Sequence, residues 1–162
     1  MIGSLPRNTD FLMCLFDSRP KSDSPFPQAR SGSTLMSAIR RSNTIVVIED
    51  IGSITKLLSI ILRKAGFEVE TFETGEGACE WLRENEPILV LCDIMLPGMH
   101  GEEVLSFIRT LPHGADLNVL AVTALANPGD KERLLKHGFT DHIAKPINPG
   151  TFITQIQTYI QP

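Results

Sequence analysis

Five residues stand where apolar runs stop, and their types suit one kind of chemistry. Glu49-Asp50 follows Thr44-Ile45-Val46-Val47-Ile48, Asp93 follows Ile88-Leu89-Val90-Leu91-Cys92, Thr123 ends the run from Leu117, and Lys145 follows Asp141 to Ala144. Short apolar runs rich in β-branched residues read as strands covered on both faces, the kind found inside parallel sheets. In an open parallel sheet, ligands bind in the crevice beyond the carboxyl ends of the strands. Three carboxylates gathered there repel one another unless a divalent cation neutralises them, and an all-oxygen site beside solvent suits Mg²⁺. Lys145 adds a fixed positive charge and Thr123 a hydroxyl. Around one carboxylate, these groups form a place for a phosphoryl group bonded to it, because they stabilise its oxygens and the charge that spreads during transfer.

Singly, each residue has a plainer reading. Asp93 alone is a turn or capping residue, Lys145-Pro146 an ordinary turn pair, and Thr123 an ordinary strand residue. The elements that carry them add weight. After the first strand, Ser53 is placed to cap a helix with Ile54, Leu57, Leu58, Ile61 and Leu62 on one face, closed by Gly66. A short strand over 68–72 precedes a helix over 76–85 with Ala78, Trp81 and Leu82 on one face, ended by Pro87. Gly101 opens a helix with Val104, Leu105 and Ile108 inward, stopped near Pro112. The strand over 117–123 leads to a helix from Asn127-Pro128 to His137-Gly138, and the strand over 141–144 to a helix from Asn148-Pro149 through Ile160. Strand and helix alternate five times with helix-length connections. That implies an α/β, doubly wound parallel sheet with right-handed crossovers and helices on both faces.

Composition narrows the function. The chain has 162 residues, 42% hydrophobic and 21% charged, with a formal net charge of −4, enough for one domain and without the clustered Lys and Arg that a nucleic-acid face needs. Cys14, Cys79 and Cys92 are odd in number, widely spaced and without metal-ligand spacing to His100, His113, His137 or His142, which fits a reducing, cytoplasmic compartment. No apolar run approaches the roughly 20 residues needed to cross a bilayer, so neither nucleic acid nor membrane is an expected partner. Residues 1–42 mix Pro6, Pro20, Pro25 and Pro27 with Ser, Arg and Asp and sustain no period, so they read as a disordered extension before a domain over 43–162. Cys92 reads as a small core residue, Trp81 as a helix face packed on the sheet, His100 as a surface residue and His113 as solvated loop.

At its strand ends the chain resembles the receiver domain of bacterial two-component response regulators. Glu49-Asp50, Asp93-Ile94-Met95-Leu96-Pro97-Gly98-Met99-His100-Gly101, Val122-Thr123-Ala124 and Ala144-Lys145-Pro146 stand in that family's order and spacing, over about residues 43–160. The resemblance implies a five-stranded, flavodoxin-like sheet in the order 2-1-3-4-5, with Asp93 as phosphoacceptor. It further implies Mg²⁺ held by Asp50, Asp93 and the Met95 carbonyl, with Glu49 acting directly or through water, and Thr123 and Lys145 on the phosphoryl oxygens. A histidine kinase or phosphotransfer protein would be the donor, and a downstream protein the target. With no output domain after the last helix, the expectation is a stand-alone receiver. It would be no enzyme beyond taking up its own phosphoryl group and slowly losing it.

The chain also departs from the family. Glu49 replaces the more usual Asp, Gly52 stands where many members carry Asn, and His142 replaces the aromatic, usually Tyr or Phe, that turns inward with Thr123 during switching. Met95 and Leu125 occupy positions where polar side chains would place a hydrolytic water, so a persistent phosphorylated state is expected. Of the rivals, a flavin carrier of this topology needs neutral Ser, Thr and Gly after the first strand, which Glu49-Asp50 denies. A phosphohydrolase with an Asp nucleophile needs a second acid two residues on, where Met95 stands. The serious alternative is a degenerate receiver that binds partners without phosphorylation. Because residues 1–42 lack a pattern able to bury apolar surface, a chain starting at Met36 is expected to unfold in urea like the full chain; a loss of several kcal/mol, a large share of the ~5–15 expected for a domain, would show that they pack.

Overall fold

Strand and helix alternate as the hydrophobic pattern requires. The structure, a computed structural model, describes residues 43–124 and 128–160, so the expected extension over 1–42, with Cys14, and Leu125 lie outside the described residues. The elements are β1 (Thr44–Ile48), α1 (Gly52–Lys64), β2 (Glu68–Phe72), α2 (Gly75–Leu82), β3 (Leu89–Asp93), α3 (Gly101–Ile108), β4 (Val119–Thr123), α4 (Pro128–His137), β5 (Asp141–Ala144) and α5 (Pro149–Gln157). The five strands form one parallel sheet in the order β2-β1-β3-β4-β5. Among the described residues, no helix is long and apolar enough to cross a membrane.

Alternation along each strand divides the core in two. Val46, Ile48, Val90, Cys92, Val119 and Ala121 face α2, α3 and α4, meeting Ala78, Leu82, Val104, Leu105, Ile108 and Leu134. Ile45, Val47, Leu89, Leu91, Leu120 and Val122 face α1 and α5, meeting Leu58, Leu62, Phe152 and Ile156. The three central strands are buried along their whole length. Their registers align the strand ends that matter: Ile48 lies opposite Cys92, Asp93 opposite Val122, and Thr123 opposite Ala144.

Element boundaries differ from expectation where side chains capture backbone groups. α1 begins before Ser53, with Ile51 as its N-cap, because the Ile54 and Thr55 N–H groups bond the Ile51 carbonyl and the Thr55 hydroxyl donates to the Glu49 carbonyl at 3.0 Å. Gly66 closes it in the left-handed region at φ +94, as its position suggested. α2 stops at Leu82 rather than reaching Asn85, whose side-chain amide instead donates to the Trp81 carbonyl at 2.9 Å. β4 begins at Val119 because Leu117 gives its carbonyl to the Arg109 guanidinium at 2.9 Å, which also holds the Gly114 and Gly138 carbonyls. α5 ends at Gln157, and Ile160 packs on the core from beyond the helix. His113 is not a solvated residue: its side chain is largely buried, with Nδ1 3.5 Å from Glu86. Trp81 and Cys92 stand as expected, the first against the Phe72 ring and the second wholly buried.

At the β5 edge, Asp141 ties three elements together. It accepts from the Tyr159 hydroxyl at 2.5 Å and from the His142 N–H at 2.9 Å, and pairs with Lys131 at 3.2 Å and His142 Nδ1 at 3.3 Å. Burial would raise its pKa, but the bonds from Tyr159, the His142 backbone, Lys131 and the His142 ring prevail and lower it from 3.8 to about 2. A depressed carboxylate stabilises the fold above its unfolded pKa and loses that contribution as pH falls through its folded one, here on the order of 2 kcal/mol. Asp141→Asn should therefore cost about 1–2 kcal/mol in urea unfolding at neutral pH, with the gap to wild type closing between about pH 4 and about pH 2.

Candidate functional site

The parallel register delivers β1, β3, β4 and β5 to one edge of the sheet, so the residues that end or follow them share one crevice. Oxygens of Glu49, Asp50 and Asp93 lie within 4.8 Å of one another. At such a separation, two ionised carboxylates repel by about 3 kcal/mol at an effective dielectric of about 20. Lys145 relieves part of this. Its Nζ is 2.6 Å from Asp93 Oδ2 and 2.7 and 3.0 Å from the two oxygens of Glu49. Three carboxylates against one ammonium leave two negative charges when all are ionised, a balance that a divalent cation completes. The donor set, hard oxygens with one exposed member, fits Mg²⁺.

Each side chain has a distinct environment. Asp93 is only 5% exposed, and its oxygens are divided: Oδ1 accepts the Met95 N–H at 2.9 Å, and Oδ2 faces Lys145. The carboxylate is thereby oriented before any ligand arrives. Glu49, 1% exposed, is turned onto Lys145. Burial raises its pKa; the Lys145 hydrogen bond opposes this without prevailing, and the Asp93 charge adds to the rise. For Lys145, burial would lower the pKa, but hydrogen bonds and charges from Asp93 and Glu49 raise it, so the ammonium is secure. Asp50 is exposed and stands at the solvent side. The extra methylene of Glu49 leaves it within the carboxylate cluster and in contact with Lys145.

Thr123 is fully buried at the end of β4, and its carbonyl accepts the Lys145 N–H at 2.8 Å, which fixes the two expected phosphoryl contacts side by side along the backbone. The Lys145-Pro146 peptide is cis. Met95 has its N–H bound to Asp93 while its side chain is exposed. His142 is set apart from this cluster, bonded to Asp141 and one quarter exposed. His100 is exposed and N-caps α3, its N–H bonded to Glu103 at 2.9 Å.

In the sequence, Gly101 marks a helix start and the end of the motif that begins at Asp93, without a reason for glycine itself. A Cβ there would lie 2.4 Å from the Asp93 carbonyl oxygen and 3.0 Å from Ile94 Cα, so α3 approaches Asp93 as closely as it does only because Gly101 has no side chain. A Gly ending the Pro97-Gly98-Met99-His100 turn was the available signal. Asp141 was read as a strand residue, since nothing local marks the partners that reach it from α4 and from beyond α5.

Comparison with known proteins agrees with this geometry. The response regulator receiver domain profile matches residues 45–157. The polar-differentiation response regulator DivK of Brucella ovis is 33% identical over 119 residues, covering 74% of this chain and 97% of DivK. Among solved structures, the chemotaxis response regulator CheY4 of Vibrio cholerae superposes with a TM-score of 0.69 at 26% identity, covering 74% of this chain and 98% of CheY4. The receiver domain of the sensor histidine kinase PA1611 of Pseudomonas aeruginosa PAO1 does so with a TM-score of 0.68 at 27% identity, again over 74% and 98%. That structure has a magnesium ion coordinated in its active-site cleft. The acidic strand-end cluster, the sheet order and the relatives converge, and the chain belongs to the response regulator receiver domain family of two-component systems.

Proposed function

We propose that Asp93 accepts a phosphoryl group from a histidine kinase or histidine phosphotransfer protein, and that the phosphorylated chain signals by binding a downstream protein. The observation that carries this reading is the Lys145 ammonium 2.6 Å from Asp93 Oδ2 inside a three-carboxylate cluster. An Asp93 oxygen attacks phosphorus, the bond from phosphorus to the donor nitrogen breaks, and an acyl phosphate forms on Asp93. Lys145 is placed to exchange a carboxylate contact for a phosphoryl oxygen, and the Thr123 hydroxyl is the second contact, reached when the end of β4 shifts. Asp50, Asp93 and the Met95 carbonyl would hold Mg²⁺, with Glu49 direct or through water; the ion supplies charge neutralisation for the transferring group. The chain acts in the cytoplasm and turns over no substrate beyond its own phosphorylation and slow dephosphorylation.

Phosphorylation-independent binding is the less favoured reading, because the oriented carboxylate and ammonium have no use in it. Incubation with acetyl phosphate and Mg²⁺, followed by mass mapping, separates the two. Wild type should gain one phosphate on Asp93, Asp93→Asn none, and Asp50→Ala should lose most Mg²⁺ affinity in a titration. Phosphate on Asp93→Asn, or unchanged Mg²⁺ binding by Asp50→Ala, would count against the assignment.

Under this reading His142 is the ring that turns inward in the output step, and turning it gives up the contact with Asp141, which lies 3.3 Å from its ring and also holds the Lys131 ammonium and the Tyr159 hydroxyl.

A further inference from the structure

The turn after Asp93 is held from two sides. Near Asp93, the Met95 N–H bonds Oδ1 at 2.9 Å, the Gly101 N–H bonds the Ile94 carbonyl at 3.1 Å, and the Ile94 and Leu96 side chains are buried. At its far end, the turn leans on the first turns of α2. Glu76 Oε1 accepts the Met99 N–H at 3.1 Å. Gly98 has φ +76, and a Cβ there would stand 2.9 Å from the same oxygen, so the turn is built against this carboxylate. A Cβ on Gly75 would lie 3.0 Å from the Met99 carbonyl oxygen, and Cys79 Sγ is 3.7 Å from Met99 Sδ.

We propose that Glu76 is a positioning residue for the cation site: by holding the Met99 N–H it fixes the turn from Met95 to Met99 and, with it, the Met95 carbonyl. The inference rests on the reading of Asp93 as a Mg²⁺-dependent phosphoacceptor. Within the expected ligand set, the exposed Asp50 follows an ion by rotating side-chain bonds, Asp93 is already held by its own hydrogen bonds, and both are drawn to the ion by charge. A carbonyl moves only with its peptide plane, so its placement depends on what anchors the turn. α2 supplies that anchor from outside the strand ends that carry the other ligands. Glu76 has two plainer uses, favouring the α2 macrodipole from the first turn and drawing cations by its charge. Both need the charge. Positioning needs only an acceptor oxygen, which glutamine retains.

The test compares full-length wild type, E76Q and E76A by calorimetric Mg²⁺ titration, with Met99 amide exchange followed by NMR and thermal unfolding as control. E76A should raise the Mg²⁺ dissociation constant about tenfold, the lower end for outer partners of metal ligands, and speed Met99 amide exchange. E76Q should stay within about twofold of wild type on both readouts, since its hydrogen bond persists. The two variants lose the same charge, so the difference between them isolates the hydrogen bond even if both are slightly less stable. Wild-type affinity in E76A, or an equal loss in E76Q and E76A, would overturn the inference while leaving Mg²⁺ binding at Asp93 intact. Wild type that binds no Mg²⁺ would overturn the reading of the site, and the inference with it.

Discussion

The structure turns on a local excess of negative charge that the sheet cannot avoid. Parallel pairing sends β1 and β3 to the same edge, and the sequence puts carboxylates there, so Glu49, Asp50 and Asp93 meet within 4.8 Å. One largely buried ammonium, Lys145 from the end of β5, holds two of them. Removing either partner from such a group leaves an uncompensated buried charge, which costs several kcal/mol, about 3–5. The residual negative charge is of the size that a divalent cation would neutralise.

Rigidity around Asp93 follows from burial on both sides of the sheet. Val90 and Cys92 pack toward α2, α3 and α4 while Leu89 and Leu91 pack toward α1 and α5, so β3 cannot slip without exposing an apolar face. Asp93 ends this fixed strand with one oxygen on the Met95 N–H and the other on Lys145. Gly101 then lets α3 start against the Asp93 carbonyl. Asp93 is thus oriented by backbone as much as by charge.

The β5 edge is built differently. Asp141 gathers Lys131, His142 and Tyr159 through polar contacts at a half-buried surface, where solvent and pH can compete. Lys145 lies on the same short strand run, four residues beyond Asp141 and joined to β4 through the Thr123 carbonyl. A change at the strand ends is therefore connected by backbone to a surface held by exchangeable bonds, the kind of element that a new charge can bias.

Much of this was legible in the residues themselves. The five strand and helix pairs follow from hydrophobic period, and the parallel sheet from connection length; Glu49, Asp50, Asp93 and Lys145 announced themselves by standing where apolar runs end. Boundaries were less legible, because they depend on which side chain reaches a free backbone group: Asn85 on the Trp81 carbonyl, Arg109 on that of Leu117, Thr55 on that of Glu49. The burial of His113 was not legible, since nothing in its neighbourhood tells that its ring is largely buried and lies beside Glu86. Local sequence determined the elements and the chemical types at their ends, because period, capping and turn propensity act over a few residues. Only the tertiary structure decided that Glu49 turns onto Lys145, that Gly101 must lack a side chain, that Glu76 reaches Met99 and that Asp141 gathers three partners. Those contacts join residues distant in sequence or depend on packing between elements, and their geometry exists only once the sheet has set the register.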